Sequence, residues 1–455
     1  MILLMTTAPS ENATWYLGRK FPPLGLSYVA ASLEKAGFQV RILDNYLQKE
    51  PISEVKRIVK QLNPELVGIT CSSSTYHKCI ETAEAIKEAL PTCKVAVGGW
   101  HPSYMPESML QHSEIDYAIM GEGERAMVEL ATYVIKGERE IVLGAIAGLA
   151  YRLGNNILKN TPRFIENLDE IPFPARHLLP MDRYERKMEF LDVEPIDIMS
   201  TIRGCPFSCA FCETRKMWGP ACRFFSPKRV VDEAKDMRDK FGTKGIYFIN
   251  DNFTIRKKET IELCELIKKE KLDLQWICDT RADMLTQELL TKMHGAGCKT
   301  IWFGVESGVP RILDKINKNI NLDQVEEAFK ICKKEGVKVA ASFMIGIPGE
   351  TKADMETTFK LAKKLNPDLC RFNVFIACPG STMFEELVKS GNYDKLDEFL
   401  FAAKTEDFDY KTLMNIARRF HREFNRQPKR ILQKVKKDGA GSVLKQGFKL
   451  LLHRE

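Results

Sequence analysis

The sequence predicts an α/β protein in two successive blocks, each a repeat of strand, loop and helix, followed by a helical C-terminal region. Three observations carry this. Short apolar runs, partly β-branched, alternate with helical patterns over residues 2–120. The same rhythm restarts near Ile196 and completes six βα units by Phe375. Between the two lies Pro172-Phe173-Pro174, where two prolines in three residues remove backbone donors and enforce an extended path. A chain of 455 residues has room for two large cores.

In the first block, residues 1–140, strands are predicted at Ile2–Met5, Phe38–Leu43, Leu66–Thr70, Lys94–Val97 and Tyr117–Met120. Helical patterns at Leu24–Ala36, closed by Gly37, and at Tyr76–Leu90 lie between them, so a doubly wound, Rossmann-like parallel sheet is expected. Ligands of such sheets bind beyond the carboxyl ends of the strands. The loops there are Asp44-Asn45-Tyr46, Ser72-Ser73-Ser74-Thr75, Gly98-Gly99-Trp100-His101 and Gly121-Glu122. Paired glycines let a backbone approach a flat ligand, and the serine run offers hydroxyls and amides. No G-x-G-x-x-G follows the first strand, which argues against a nicotinamide site.

Residues 141–194 are expected to connect the blocks. Leu149–Leu153 and Ile157–Leu158 flank Gly154-Asn155-Asn156, a hairpin signal, and Leu168–Arg176 is the proline-stiffened connector. The second block, residues 195–385, has predicted strands at Ile196–Ser200, Ile246–Ile249, Leu274–Cys278, Thr300–Val305, Val339–Ile345 and Leu369–Phe375. Polar residues gather where these strands end: Asn250-Asp251, Asp279-Thr280-Arg281, Glu306-Ser307-Gly308 and Gly346-Ile347-Pro348-Gly349-Glu350. Helical patterns continue through Phe408–Phe424 in the final segment, residues 386–455.

With 44% hydrophobic and 28% charged residues, the composition is that of a soluble globular protein, and no run approaches a membrane span. The N-terminal run Ile2–Met5 has no basic flank and is expected to be a strand, not a leader. Thirteen cysteines without paired spacing suit a reducing cytoplasm. Residues 411–455 hold 13 Lys and Arg against 3 Asp and Glu, a surplus larger than the whole chain's +7, so the body is slightly acidic. That basic tail, with Phe448 and Leu450–Leu452 among its lysines, suggests either a solvated helix or peripheral contact with an anionic membrane. No nucleic-acid module accompanies the charge.

The most specific feature is Cys205-Pro-Phe-Ser-Cys209-Ala-Phe211-Cys212, a C-x3-C-x2-C spacing after the run Ile196–Ile202. Three thiolates at one place suit a cubic 4Fe-4S cluster and leave one iron without a protein ligand. Structural zinc sites favour paired C-x2-C knuckles, which are missing here. Cys222 is the rival fourth ligand, and with it the site would be an electron carrier.

This motif, with Phe211 before the third cysteine, resembles the signature of the radical S-adenosylmethionine (SAM) superfamily, and the first block resembles the cobalamin (B12) domain fused to one of its branches. The resemblance implies a partial (β/α)6 barrel whose open iron chelates SAM and whose cluster electron generates a 5′-deoxyadenosyl radical. It implies cluster ligands Cys205, Cys209 and Cys212. It implies a SAM site drawn from Phe211, Asn250, Asp251, Arg281, Glu306, Ser307, Gly346 and Gly349, with Arg281 meeting either the SAM carboxylate or Asp251. It also implies a cobalamin site at Ser72, Ser73, Ser74, Thr75, Gly98, Gly99, Gly121 and Glu122. Asn45 and Tyr46 follow Asp44 where many B12 proteins carry a lower-ligand histidine motif, so no histidine reaches cobalt from this loop, and His101 is expected to be a hydrogen-bonding residue. The implied activity is C-methylation of an unactivated carbon of a small-molecule, lipid-like or peptide substrate, with flavodoxin or ferredoxin as electron donor. Radical cyclisation or rearrangement, and methylthio transfer with Cys71, Cys79 and Cys93 holding a second cluster, are the alternatives within the superfamily.

Overall fold

The computed structural model describes residues 1–9, 20–137, 142–428 and 430. Strands β1 (Ile2–Thr6), β2 (Val40–Leu43), β3 (Leu66–Thr70), β4 (Lys94–Gly98), β5 (Tyr117–Ile119), β6 (Leu149–Leu153) and β7 (Asn156–Lys159) form one sheet of order β2-β1-β3-β4-β5-β6-β7. β1 to β5 are parallel, and the hairpin β6–β7 adds two antiparallel strands at one edge. The period-two burial is explicit in β1. Leu3 and Met5 face helices Pro51–Leu62 and Tyr76–Ala89, whereas Ile2 and Leu4 face Leu24–Lys35 and Gly123–Ala131. The strand order reverses between β1 and β3, which opens a crevice at their carboxyl ends, beside Thr6 and Thr70.

The second block begins at β8 (Ile196–Met199). A short antiparallel pair, β9 (Ile202–Arg203) with β10 (Arg223–Phe224), follows it. β11 (Gly245–Phe248), β12 (Gln275–Thr280), β13 (Cys298–Glu306), β14 (Lys338–Ile345) and β15 (Leu369–Val374) complete a six-stranded, all-parallel sheet of order β15-β14-β13-β12-β11-β8. Trp276, Phe303 and Phe343 point outward into the helices, while Ile198, Tyr247, Ile277 and Trp302 point inward. The connector closes the barrel floor from within. Phe190 stacks edge-on to Trp302 at 5.5 Å, the Phe190 carbonyl accepts from Thr300 Oγ1 at 2.9 Å, and Asp192 pairs with Lys338 at 3.0 Å.

The expected helical region after residue 385 is instead mixed. β16 (Ile376–Ala377), β17 (Tyr393–Asp397) and β18 (Leu400–Ala403) form a three-stranded antiparallel sheet, because Leu400-Phe401-Ala402-Ala403 can bury one short apolar strand under helix Thr382–Ser390. Helix Tyr410–Asn425 matches its pattern: Leu413, Ala417, Phe420 and Phe424 share one buried face, with Phe420 stacked on Phe359 at 4.4 Å. The basic stretch 431–455 lies outside the described residues, and among those described no helix is long and apolar enough to cross a membrane.

Candidate cofactor sites at the domain junction

β9 feeds directly into the cysteine loop, and Gly204 (φ +91°) makes the turn with no room for a Cβ, which would meet the Ala221 carbonyl at 2.6 Å. The loop is held from both sides. Ala210 N donates to the Ile316 carbonyl at 2.9 Å, Asn317 Nδ2 donates to the Ser208 carbonyl at 2.8 Å, and Met383 N donates to the Ala210 carbonyl at 3.0 Å. Cys205 and Cys209 are half-buried and Cys212 is exposed. Desolvation of the sulfur atoms by the surrounding protein pushes all three thiols up, Cys205 to about 12 and Cys212 although the residue as a whole is exposed, and Lys318 and Arg281 counter this at Cys209. Among the described residues no His, Cys, Asp or Glu group closes around a single metal ion. A cubic cluster takes each thiolate on a different iron and asks for wider spacing. Cys222 Sγ donates to the Gly204 carbonyl at 3.4 Å, beside the loop. Cys222→Ala is expected to leave the iron content of anaerobic protein unchanged, whereas Cys209→Ala loses it; equal loss in both would make Cys222 a ligand.

The strand ends of the barrel converge on this loop. Asn250 is not aimed at a ligand: its amide exchanges two hydrogen bonds with Thr201, at 2.9 and 3.0 Å, and fixes the approach to β9. Asp251 opens to the barrel mouth and accepts from Thr214 Oγ1 at 2.9 Å, which in turn contacts Cys212 Sγ at 3.2 Å. The surrounding protein raises its carboxyl pKa. Of the two partners expected for Arg281, Asp251 is not the one found. The guanidinium is bidentate to Asp283 at 2.9 and 2.8 Å and lies 3.9 Å from the Phe207 ring of the cysteine loop. Its Nη1 is buried without a partner.

Glu306 adopts a left-handed backbone (φ +68°) and pairs with Lys318 at 2.9 Å, and a Cβ on Gly304 would fall 2.3 Å from its Oε1. Lys318 Nζ also lies 5.9 Å from the half-buried Phe211 ring. Ser307 is fully buried and turned to Thr358 at 3.3 Å. Gly346 (φ +78°) and Gly349 (φ +83°) shape the loop after β14, and Glu350 Oε2 accepts from the amides of Gly346 at 2.7 Å and Ile347 at 3.1 Å.

In the N-terminal block, Ser72 and Thr75 form a capping box, with Ser72 N donating to Thr75 Oγ1 at 3.0 Å and Ser74 Oγ 3.0 Å from Ser72 Oγ. Ser73 contacts His101 Nδ1 at 3.0 Å, and His101 Nε2 contacts Ser108 at 2.9 Å. Both ring nitrogens are therefore occupied, and burial depresses the imidazole to about 4. Gly98 ends β4, and Gly99 (φ +99°) passes so near the β3 loop that a Cβ would meet the Cys71 carbonyl at 2.8 Å. Asn45 is fully buried beside Thr6, with its Oδ1 unpartnered. Gly121 N donates to Ser103 at 2.9 Å, and its left-handed backbone (φ +75°) favours glycine although a Cβ would meet Phe164 only at ordinary contact distance. The Glu122 carboxylate is taken up by the other block and the connector: Arg203 Nη1 at 2.6 Å and Arg223 Nη1 at 2.8 Å from the former, Ile165 N at 2.6 Å from the latter. Glu124 adds a second contact to Arg203 at 2.5 Å.

Comparison with known proteins follows the same division. A model of the radical SAM superfamily matches residues 199–362, and a model of the B12 binding domain matches residues 16–131. The uncharacterized methyltransferase PH0819 of Pyrococcus horikoshii is 33% identical over 460 residues, covering 99% of this chain and 98% of that one. The chain belongs to the radical SAM superfamily, in the branch with a B12-binding domain. A relative named anaerobic magnesium-protoporphyrin IX monomethyl ester cyclase, from Rubrivivax gelatinosus, is 30% identical over 84% of this chain and 68% of its own. The fold is that of the radical SAM methyltransferase TsrM from Kitasatospora setae, with a TM-score of 0.70 at 17% identity over 86% of this chain and 75% of that chain.

Three further residues of this radical SAM protein lie at the site without being among those the sequence assigns to a cofactor. Asp279 sits within β12, partly open to the barrel interior, and accepts from the Tyr247 hydroxyl at 2.6 Å; burial first, then nearby Asp251, raises its carboxyl to about 7. Lys318 and Tyr104 are the others. The Tyr104 hydroxyl crosses from the first block to donate to the Glu213 carbonyl at 3.1 Å, beside Cys212. A strand-end aspartate was a visible signal for the first, but nothing local marks a lysine or tyrosine as a junction residue. Cys71, Cys79 and Cys93 do not gather for a second cluster: Cys71 and Cys79 adjoin each other inside the core, while Cys93 Sγ turns to the Lys94 carbonyl beside Lys87 and Asp116.

Proposed function

We propose that the protein is a cobalamin-dependent radical SAM methyltransferase that methylates an unactivated carbon of a small molecule. The observation that carries this is the meeting of the cysteine loop with the carboxyl-end loops of the N-terminal sheet, joined by Tyr104 and Glu213 and by Arg203 and Glu122. A methyl donor held by one block would then face a radical generator held by the other.

The residues fit the groups. Cys205, Cys209 and Cys212 would hold the cluster, with cationic Lys318 and Arg281 favouring thiolate at Cys209. The unpartnered Nη1 of Arg281 suits the SAM carboxylate, and the Glu306–Lys318 pair suits its amino and hydroxyl groups. Gly346 and Gly349, both left-handed, shape a loop that would receive a flat base, and Phe211 would add its ring from beside Lys318; Asp251 would face the site from the barrel mouth, with Asn250 and Ser307 holding the backbone behind it. Gly98 and Gly99, Ser72 and Ser74, and the orphaned Asn45 carbonyl suit the corrin's amide rim, while Ser73, Thr75, Gly121 and Glu122 hold those loops in shape. Together the bound groups supply cleavage of SAM, hydrogen abstraction and methyl delivery; the protein's part is to keep reacting atoms in line and water out. A low-potential flavodoxin or ferredoxin is the expected electron source, in a reducing cytoplasm that suits thirteen unpaired cysteines.

Protein prepared without oxygen and supplied with cobalamin is expected to hold about four irons per chain and a corrin spectrum. In turnover it should release S-adenosylhomocysteine and 5′-deoxyadenosine in equal amounts. Deoxyadenosine without homocysteine product would overturn methyl transfer and favour a cyclase, the second reading that the Rubrivivax relative supports.

A further inference from the structure

We infer that residues 376–403 are a clasp that registers the cysteine loop against the Ser72–Thr75 loop, with Phe399 as the positioning residue on the corrin side. This rests on the proposal that the N-terminal block binds cobalamin. The segment is one piece: β16 pairs with β18, β18 with β17, and Phe401 stacks on Phe384 at 5.3 Å and on Tyr393 at 4.4 Å. At one end it touches the cysteine loop. Met383 N donates to the Ala210 carbonyl at 3.0 Å, and Gly380 (φ +101°) lies so close to Tyr104 that a Cβ would meet the ring at 3.0 Å.

At the other end, the turn between β17 and β18 reaches the first block. Phe399 packs on His101 at 4.6 Å and on Tyr76 at 4.9 Å between ring centroids, and Tyr76 packs on His101 at 5.0 Å. Beside them Asp397 lies 3.0 Å from His77. His101 contributes nothing to a ligand directly, because both nitrogens are occupied. Its Nδ1 contact to Ser73 is what sets the loop between β3 and the following helix. The chain of contact therefore runs from the cysteine loop through Met383 and Phe401 to Phe399, His101 and Ser73.

Phe399 removes apolar surface from water while holding an imidazole whose hydrogen bonds fix a binding loop, so truncation should loosen that loop more than it destabilises the fold. Loss of these aromatic contacts is expected to weaken affinity about tenfold where the loop contacts the ligand, which corresponds to about 1.4 kcal/mol.

The test is a titration of full-length, anaerobic, cluster-loaded protein with hydroxocobalamin, followed by its absorbance, with hydrogen exchange of residues 71–76 measured on the corrin-free protein. Phe399→Ala is expected to weaken binding about tenfold and to speed exchange in that loop, with iron content and SAM binding unchanged. Phe399→Tyr should restore both, and Asp397→Asn should weaken binding less, about twofold. Wild-type affinity and exchange in Phe399→Ala would overturn the clasp, as would parallel loss of iron and cobalamin, which marks general unfolding. Failure of the unaltered protein to bind hydroxocobalamin would instead sink the cobalamin reading beneath it.

Discussion

Glu122→Ala is expected to destabilise the protein by about 3–5 kcal/mol, measured by urea unfolding, because it strips buried Arg223 of its counter-charge and leaves buried Arg203 with Glu124 alone. The Glu122 side chain is 1% exposed, and those of Arg203 and Arg223 are 5% and 9% exposed. Burial works against the charge on Arg203, and the carboxylates of Glu124 and Glu122 more than offset it. Without Glu122, Arg203 keeps Glu124 but Arg223 keeps no carboxylate, just the carbonyls of Ile165 at 2.7 Å and Trp218 at 2.9 Å and the face of the Phe164 ring at 5.1 Å. Arg203 immediately precedes Gly204 and Cys205, so the same change should also loosen the cysteine loop and lower iron retention. A double-mutant cycle with Arg223→Ala should return a coupling of about 0.5–3 kcal/mol. Additive losses would mean that the Glu122–Arg223 pair contributes nothing to holding the two blocks together.

Asp279→Asn is expected to stabilise the cofactor-free protein at pH 8 by a few kcal/mol. The carboxyl is raised by burial from its ordinary 3.8 to about 7. Between those two values the unfolded chain has released the proton and the folded protein has not, so native stability falls as pH rises through the window. The whole difference corresponds to at most about 4 kcal/mol. The gap between variant and wild type should therefore widen from pH 5 to pH 8 and stay flat above it. A gap that does not change with pH would show that Asp279 titrates normally. Hydrogen-bonded to Tyr247 inside the barrel, this acid is a candidate for work on a bound molecule.

Both effects depend on contacts that no local pattern announces. The parallel strands were legible because runs such as Leu66–Thr70 and Val339–Ile345 are apolar and bounded by helical patterns, and period two then decides which face each residue takes. The cysteine spacing was legible because its chemistry is local. The partners of the charged residues were not. Glu122 and Arg203 are 81 residues apart, and Glu122 reads as a loop acid at a strand end until the two blocks meet. Arg281 chooses Asp283, two residues on, over the distant Asp251, since a bidentate geometry is available at once. β17 was missed because Tyr393-Asp394-Lys395-Leu396-Asp397 carries three charges, and only pairing with the apolar β18 makes it a strand.

The connector has a consequence for modularity. Phe190 and its neighbours are part of the barrel's interior rather than a tether outside it, although they precede its first strand. A transplant of the catalytic half that starts at Pro195 would leave behind the plug on which Trp302 and Thr300 rest. Arg186, bidentate to fully buried Asp197 at 3.0 and 2.5 Å, belongs to the same base. The natural seam for exchanging halves between relatives therefore lies upstream of Arg186, and the length of chain that spaces the two lobes is inherited with the barrel.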